Sequence, residues 1–216
     1  MKQQIGILAL QGSFIEHAHA VESIGAEPVL IRLPEQLDNI EGLIIPGGES
    51  TTIGKLLEEY NLLKKIKELA LEGMPIYGTC AGMILLAKNI EDGNRAVSDV
   101  NSPDTTFSEI YNLGLIDITV RRNAFGRQLE SFEEDLDIPV LGEIPFHSVF
   151  IRAPLIVRTG EKVKILAVLS DKSVVAAKQG SILVTAFHPE LTEDLRVHRY
   201  FLNKLLLTET SLLVNK

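Results

Sequence analysis

The sequence contains a single cysteine, Cys80, in 216 residues. One cysteine cannot form an internal disulfide, so a disulfide-stabilised scaffold is excluded and a reducing compartment is compatible with the chain. No apolar run approaches the roughly 18 residues that a membrane span requires, and no basic stretch precedes the first strand-like segment. We therefore expect a soluble, cytoplasmic protein without a signal peptide and without a membrane partner.

Basic residues are also in deficit, because 21 Lys and Arg face 29 Asp and Glu, for a formal net charge of −8. Such a charge repels phosphate backbones, so we do not expect nucleic acid as a partner. Paired metal ligands are lacking as well. His17 and His19 are two residues apart in a helical pattern and point to different faces, while His147 and His198 have no ligand spacing nearby. We expect neither a metal site nor a bound cofactor.

Nucleotide-binding motifs are incomplete. The segment GGESTTIGK resembles a phosphate-binding loop, but five residues separate Gly48 from Gly54. Leu56 stands where such a loop needs a Ser or Thr to bind magnesium. The first strand-like segment ends in LQGSF rather than in the glycine pattern of a dinucleotide site. The spacing therefore argues against both kinds of phosphate site.

Short apolar segments of strand length alternate with helical patterns in the first half of the chain. The strand-like segments cover residues 4–12, 28–33, 42–48 and 74–80, and the helical patterns cover 13–26, 50–73 and 81–90. This alternation predicts an α/β fold with a parallel sheet that is buried on both faces. The length fits a single domain over residues 1–216.

The second half of the chain changes character. Consecutive strand-like segments at 114–123, 147–153, 163–170, 173–180 and 181–190 predict antiparallel strands added to the parallel core. Residues 91–112 carry five acidic residues, one basic residue and no period, and we interpret them as an exposed insertion. A last helix is expected to be capped by Thr192, with Glu193 and Asp194 in its first turn.

Cys80 lies in the pentapeptide GTCAG, between a strand-like segment and a helical one. This is the thiol counterpart of the nucleophile elbow, in which small neighbours permit a strained turn. The N-terminus of the following helix favours the thiolate, which would make Cys80 reactive. The alternative is a buried structural cysteine, which is the more common fate of a single cysteine.

A candidate general base and a residue that could orient it lie in FHPE, at the end of the last strand-like segment. His188 is expected at the carboxyl end of a strand, from where Glu190 can reach the other nitrogen of its imidazole ring. Cys80, His188 and Glu190 would then form a triad. Taken singly, His188 could be a loop histidine and Glu190 a solvated cap of the last helix.

The segment PGGES supplies two adjacent glycines after another buried strand. Gly47 and Gly48 allow the backbone to turn N–H groups towards a developing oxyanion, as a tetrahedral intermediate requires. The three segments together indicate acyl transfer by a cysteine nucleophile.

PGGES, GTCAG and FHPE, in this order, resemble the class I glutamine amidotransferases. Further segments resemble the glutaminase subunits of pyridoxal 5′-phosphate synthases, namely LALQG with the following EH, PGGESTT, YGTCAGMILLAK, RNAFGRQLESFE, VFIRAP, VAAKQG and FHPELTEDLRVH. The resemblance covers nearly the whole chain. It implies a Rossmann-like three-layer α/β/α sandwich that hydrolyses L-glutamine to L-glutamate and ammonia. It also implies a partner, the synthase subunit, which receives the ammonia and without which glutaminase activity is weak.

The resemblance also assigns roles to individual residues. Cys80 is the implied nucleophile, His188 the general acid and base, and Glu190 the residue that orients His188. The oxyanion hole would be formed by the N–H groups of Gly48 and Ala81. The implied glutamine-contacting residues are Gly47, Gly48, Glu49, Arg122, Ile151 and Arg152. For the two arginines, a surface ion pair is the alternative.

One segment departs from the resemblance, because the family connects the nucleophile helix to the RNxFG strand by fewer residues than 91–112. Three other functions stay open. Another triad amidotransferase, such as the glutaminase of imidazole glycerol phosphate synthase, would use the same Cys80, His188 and Glu190. A noncatalytic binding relative of the fold would not need all three residues, and a cysteine peptidase would not need the glutamine-contacting segments.

Overall fold

The computed structural model describes residues 2–92, 95–96, 111–122 and 131–206. Thirteen strands lie in these ranges: β1 (Gln4–Leu8), β2 (Glu27–Ile31), β3 (Gly42–Ile45), β4 (Ile76–Thr79), β5 (Ala87–Asp92), β6 (Arg95–Ala96), β7 (Ile116–Arg122), β8 (Ser131–Leu136), β9 (Phe146–Ile151), β10 (Leu155–Thr159), β11 (Lys164–Val168), β12 (Val174–Gln179) and β13 (Ile182–Thr185).

The α-helices of the described ranges are α1 (Phe14–Ser23), α2 (Ser50–Glu59), α3 (Leu62–Leu71), α4 (Ala81–Leu86) and α5 (Arg196–Tyr200), and a π-helical segment, Phe201–Leu206, continues α5. Short 3-10 turns occupy Pro34–Leu37, Pro139–Leu141 and Pro189–Leu191. None of the helices in the described part of the chain has the length and apolar character needed to cross a membrane.

The main sheet has a parallel centre and an antiparallel extension, as the sequence predicts. Its strand order is β2-β1-β3-β4-β13-β12-β10-β7-β5-β6, with β11 paired to β12. The pairs from β2 to β13 are parallel, and β13 then meets β12 in antiparallel register. Strands β8 and β9 form a separate antiparallel pair. The architecture is therefore α/β, with antiparallel strands added to a parallel core.

The two faces of β4 show how the helices cover the sheet. Tyr77 and Thr79 contact the histidine rings of α1 and α5 on one face. A Cβ atom on Gly78 would instead meet Leu86 and Gly82 of α4. Because successive strand residues point to opposite faces, α1 and α5 lie on one side of β4 and α4 lies on the other. Helices on both faces of the sheet give three layers.

The carboxyl ends of the parallel strands meet at one edge of the sheet. The register places Ile45 opposite Gly78, and Thr79 opposite Thr185. The segments that follow β1, β3, β4 and β13 therefore leave the sheet side by side. In open parallel sheets this edge is the usual place for a binding site. Each of the segments that we singled out for chemistry follows one of these strands.

Residues 50–73 do not form the single helix that their apolar spacing predicts. Asn61 separates α2 from α3 with a left-handed backbone (φ 56, ψ 25). Asn tolerates this conformation better than most residues, because its short polar side chain can bond locally. The break turns the chain so that Leu57 and Leu62 are both fully buried.

Two further helix predictions are wrong. The helix expected over 81–90 ends at Leu86, because the backbone of Ala87–Asp92 pairs with β7 as strand β5. The last helix begins at Arg196 and is not capped by Thr192, whose hydroxyl instead donates to the carbonyl of Pro189. Tertiary pairing outweighs helix propensity in the first case, and the local turn that follows His188 does so in the second.

The insertion predicted at 91–112 lies largely outside the described residues. The described part of it contains the end of β5 and the two-residue strand β6, which pair in antiparallel register through Glu91 and Ala96.

Candidate active site

Cys80 occupies a strained turn between β4 and α4. Its backbone has φ 48 and ψ −100, a conformation that L-residues rarely adopt and that costs roughly 1–3 kcal/mol. The turn is held on both sides, since the N–H of Cys80 donates to the carbonyl of Thr185 (2.8 Å) and its own carbonyl accepts from Ile84 N (3.2 Å). The elbow predicted from GTCAG is present, and Cys80 keeps 7% of its surface exposed.

Gly82 explains why the turn needs a small residue after the cysteine. A Cβ atom at this position would clash with the carbonyl oxygen of Ile45 and would lie 3.0 Å from its carbonyl carbon. Helix α4 therefore packs directly on the end of β3. The close approach brings the helix start and the PGGES segment together.

His188 and Glu190 are joined by a short hydrogen bond. The distance from His188 Nδ1 to Glu190 Oε1 is 2.7 Å, and both side chains are nearly or fully buried. The backbone N–H of His188 donates to the carbonyl of Val149 (2.9 Å), and the 3-10 turn Pro189–Leu191 brings Glu190 back beneath the ring. The pairing that the sequence predicts within FHPE is therefore formed.

Burial and the neighbouring polar groups shift the pKa values of His188 and Glu190 in opposite directions, and the neighbouring groups together have the larger effect. Burial disfavours the imidazolium, but hydrogen bonds to Cys80 and Glu190 raise the pKa of His188 to about 10. Burial likewise disfavours the carboxylate, but His17 and the hydrogen bonds from His188 and Ser13 lower the pKa of Glu190 to about 2. Near neutral pH Glu190 is therefore an anion beside a protonated His188, which can deliver a proton to a leaving group.

Glu190 has two partners that local motifs do not reveal, one just before α1 and one on it. The hydroxyl of Ser13 donates to Glu190 Oε1 (2.6 Å), and His17 Nε2 lies 3.4 Å from Glu190 Oε2. Ser13 and His17 are four residues apart, the spacing that places two side chains on one helix face. That spacing, at the buried side of an otherwise apolar face, is the signal that could have revealed them.

His198 lies next to His17, on the side away from Glu190. His17 Nδ1 is 2.9 Å from His198 Nε2, and both residues are fully buried. From their spacing, the sequence indicates no role for His17 or His198. Within the described ranges, no group of three or more His, Cys, Asp or Glu side chains is arranged to hold a metal ion.

The PGGES segment lies against His188. A Cβ atom on Gly47 would clash with His188 Cε1 and would lie 2.9 Å from Nδ1, so only glycine fits without moving the ring. The carbonyl of Gly47 accepts from Ser13 N (3.1 Å), and the N–H of Glu49 donates to Gln11 Oε1 (2.8 Å). Residues that follow β1 therefore hold the segment that follows β3.

Glu49 and Arg122 both contact the first turn of α2. The Glu49 carboxylate caps this helix by accepting from the N–H groups of Thr51 (3.0 Å) and Thr52 (2.6 Å). Arg122 Nη2 lies 3.5 Å from Thr51 Oγ1. The Glu49 carboxylate is therefore engaged as a helix cap, and Arg122 lies near the PGGES segment; their contacts with glutamine stay a prediction.

Ile151 and Arg152 lie at the end of β9, close to the nucleophile elbow. The carbonyl of Ile151 is 4.0 Å from Cys80 Sγ. Arg152 has a positive φ of 43, so the chain turns sharply just after this contact. Ala81, the first residue of α4, is buried beside Cys80, and its N–H has no acceptor within the helix because it belongs to the first turn.

The model of the SNO glutamine amidotransferase family matches residues 7–207 of this chain. The chain belongs to the SNO glutamine amidotransferase family. The match runs from β1 to the segment that continues α5, and so it includes every residue of the site described above.

Similar curated proteins carry the name pyridoxal 5′-phosphate synthase subunit PdxT. The protein from Herpetosiphon aurantiacus is 58% identical over 198 residues, which cover 92% of this chain and 98% of that protein. The protein from Pelotomaculum thermopropionicum is 55% identical over 201 residues, which cover 93% and 94% of the two chains. Such similarity over nearly the full length places this chain in the same family as both proteins.

Solved structures agree with this membership. A crystal structure of a glutamine amidotransferase has 47% sequence identity and a TM-score of 0.82, and the alignment covers 94% of this chain and 98% of that one. The structure of PurLQS from Thermotoga maritima has 18% identity and a TM-score of 0.64, with coverage of 95% and 100%. At that identity, the second likeness shows the fold alone.

Proposed function

We propose that the chain is the glutaminase subunit of a pyridoxal 5′-phosphate synthase, which hydrolyses L-glutamine to L-glutamate and ammonia. The observation that carries the proposal is the strained Cys80 beside an imidazole that a buried Glu190 holds, in a chain more than half identical to proteins named as this subunit. The ammonia is delivered to the synthase subunit, which is the partner of the chain.

In the first step, the Cys80 thiolate attacks the carboxamide carbon of the glutamine side chain. A C–S bond forms, and the carbonyl electrons move to the oxygen, where the N–H groups of Gly48 and Ala81 stabilise the negative charge. The intermediate then collapses, the C–N bond breaks, and the His188 imidazolium gives its proton to the nitrogen, which leaves as ammonia. A γ-glutamyl thioester remains on Cys80.

In the second step, water hydrolyses the thioester. His188, now neutral, accepts a proton from the water as its oxygen attacks the thioester carbon. The C–S bond breaks, glutamate is released, and the thiolate–imidazolium pair is restored. Glu190 stays ionised throughout, holds the ring through Nδ1 and stabilises the imidazolium.

The substrate is held by residues around the elbow. We assign the contacts with glutamine to Gly47, Gly48, Glu49, Arg122, Ile151 and Arg152. Three observations support this assignment: Gly47 touches the His188 ring, the carbonyl of Ile151 lies near Cys80 Sγ, and Arg122 reaches Thr51 beside Glu49. None of these six residues belongs to the triad.

A glutaminase assay with and without the synthase subunit tests the proposal. We expect the complex to release ammonia and glutamate from glutamine, and the isolated chain to do so poorly. In Cys80→Ala and His188→Ala, kcat should fall by on the order of a thousandfold or more. His147→Ala is the matched histidine control, because His147 is an exposed side chain of the β8–β9 pair.

Two outcomes would contradict the proposal. Ammonia release that persists undiminished in Cys80→Ala would exclude the mechanism. Activity that does not respond to the synthase subunit would instead favour another triad amidotransferase, such as the glutaminase of imidazole glycerol phosphate synthase.

A further inference from the structure

A buried chain of polar groups continues behind the triad. Glu190 Oε1 accepts from both His188 and Ser13, whereas Oε2 faces His17 Nε2 at 3.4 Å. His17 also lies 3.2 Å from Thr79 Oγ1 through Nε2 and 2.9 Å from His198 through Nδ1. Oε2 is buried and accepts no hydrogen bond from the described residues, so the polar group that it faces is His17 Nε2, at ion-pair distance. The second oxygen of Glu190 therefore depends on His17.

The protonation state of the two histidines follows from their burial. Burial lowers the pKa of His17, and burial together with the nearby His17 lowers the pKa of His198 to about 3. Both imidazoles are therefore neutral near neutral pH. Each carries one N–H, and the position of that proton decides which groups it can serve.

Only one arrangement of the two protons leaves no buried N–H without an acceptor. His198 Nδ1 has no hydrogen-bond partner among the described residues, so the proton of His198 belongs on Nε2, which donates to His17 Nδ1. The proton of His17 then belongs on Nε2, between Thr79 Oγ1 and Glu190 Oε2. The opposite arrangement would bury an unpaired N–H on His198 and turn a lone pair of His17 towards a carboxylate.

We propose that His17 is a positioning residue for Glu190, and that His198 holds His17 in the tautomer that this role requires. The proposal rests on the proposed function, since Glu190 matters for turnover only if it holds the catalytic imidazole. His17 contacts neither the nucleophile nor the substrate in this assignment. It acts by placing a positive N–H edge at the oxygen that His188 and Ser13 leave open.

Several secondary-structure elements contribute titratable groups around the buried histidines His17 and His198. They are Glu16 on α1, Tyr77 on β4, His188 and Glu190 after β13, and His198 on α5. Burial raises the pKa of Tyr77 well above its ordinary value, so this phenol stays neutral. Glu16 is exposed. Glu190 is thus the buried anion that His17 faces.

Kinetics of His17 variants in the complex with the synthase subunit test the proposal. In His17→Leu, Oε2 loses the N–H edge that His17 turns towards it, so the pKa of Glu190 rises and the hold on His188 loosens. We expect kcat to fall by roughly tenfold to a hundredfold with KM unchanged, and the acidic limb of the kcat/KM profile to move to higher pH. His17→Gln keeps an N–H donor and should restore the position of that limb.

The matched control is His19→Leu, on the same helix but exposed. It should leave kcat and the pH profile as in the wild type. A His17→Leu profile that superimposes on the wild type would contradict the proposal, as would a loss of kcat with no movement of the acidic limb. Absence of glutaminase activity in the wild-type complex would instead contradict the proposed function.

A second measurement stands even if His17→Leu does not fold. Nitrogen-15 NMR of the imidazole rings in the wild-type chain reports charge and tautomer directly, without any substrate. We expect His17 and His198 to be neutral and protonated at Nε2 near neutral pH. A proton on His17 Nδ1, or a charged His17, would overturn the proposal.

Discussion

At the scale of single residues, Gly47 shows how closely the site is packed. Its backbone lies against the imidazole of His188, so that a methyl group has no room there. The assignment of Gly47 to glutamine contact remains a proposal. Its position against the ring gives it a second role, because it fixes how far His188 can move towards the loop.

We expect Gly47→Ala to displace the His188 ring and to reduce kcat by on the order of a hundredfold, because small misplacements of a catalytic group are costly. Steady-state kinetics in the complex measure this effect. Gly25→Ala is the control: its φ of +90 strains a side chain, but no atom lies within 4 Å of the added Cβ. It should lower stability by about 1–2 kcal/mol and leave kcat unchanged. Wild-type kcat in Gly47→Ala would show that the ring is not held by this contact.

The site residues that could be predicted from the sequence are those that lie in a recognisable local motif. Cys80 is marked by flanking glycines, and His188 and Glu190 are two residues apart. His17 and His198 carry no such local signal, because 181 residues separate them and only the packing of α1 against α5 brings them together. Their meeting is a property of the tertiary fold.

At the scale of elements, the break between α2 and α3 is the clearest difference between pattern and structure. The apolar spacing continues through Asn61, so the periodicity predicts one helix over 50–73. The last turns of α2 and α3 contain no basic side chain. Helix α2 ends just before Asn61, whose backbone is left-handed. Periodicity records which face is buried and does not record where the chain turns.

Asn61→Val tests this account, because a β-branched residue fits poorly in a left-handed conformation. We expect the free energy of unfolding to fall by about 1–2 kcal/mol, as measured by chemical denaturation. Asn61→Gly should retain or raise stability, and Lys64→Ala, at an exposed position of α3, should stay within about 0.5 kcal/mol of the wild type. Equal stability of the valine and glycine variants would mean that the two helices join without this conformation.

At the scale of the whole molecule, the buried charges make stability depend on pH. Glu190 has a pKa of about 2 against an ordinary 4.5, so it contributes stability above pH 4.5 that is lost as the pH falls towards 2. His198 has a pKa of about 3 against 6.5, so below pH 6.5 the unfolded chain takes up a proton that the folded chain does not. His188 has a raised pKa of about 10, so its contribution is present below pH 6.5 and lost as the pH rises through 10.

We therefore expect the free energy of unfolding to decline steadily from pH 6.5 towards 3, and to decline again as the pH approaches 10. Urea denaturation over this range measures the curve. His198→Phe should flatten the acidic side, because it removes a buried group that must stay neutral. His19→Gln, at an exposed position, should not change the slope. A His198→Phe curve parallel to the wild type would contradict the assigned burial of a neutral imidazole.

The overall architecture was predictable because parallel strands that are buried on both faces appear in the sequence as short, almost continuous apolar segments. Consecutive strand-like segments in the second half also predict antiparallel pairing, which the β12–β13 pair confirms. What the pattern could not predict is that Ala87–Asp92 joins the sheet, because its pairing with β7 depends on a strand about thirty residues away. Local signals define the elements, and the order of strands in the sheet defines the site.

The most direct test of the central claim is to trap the acyl intermediate on Cys80. The complex is mixed with glutamine, quenched with acid during turnover, and its peptides are examined by mass spectrometry. We predict a γ-glutamyl thioester on the peptide that contains Cys80, accumulating further in Glu190→Gln because deacylation needs a well-oriented His188. Turnover of glutamine without an adduct on Cys80 in either protein, or an adduct on another residue, would contradict the account.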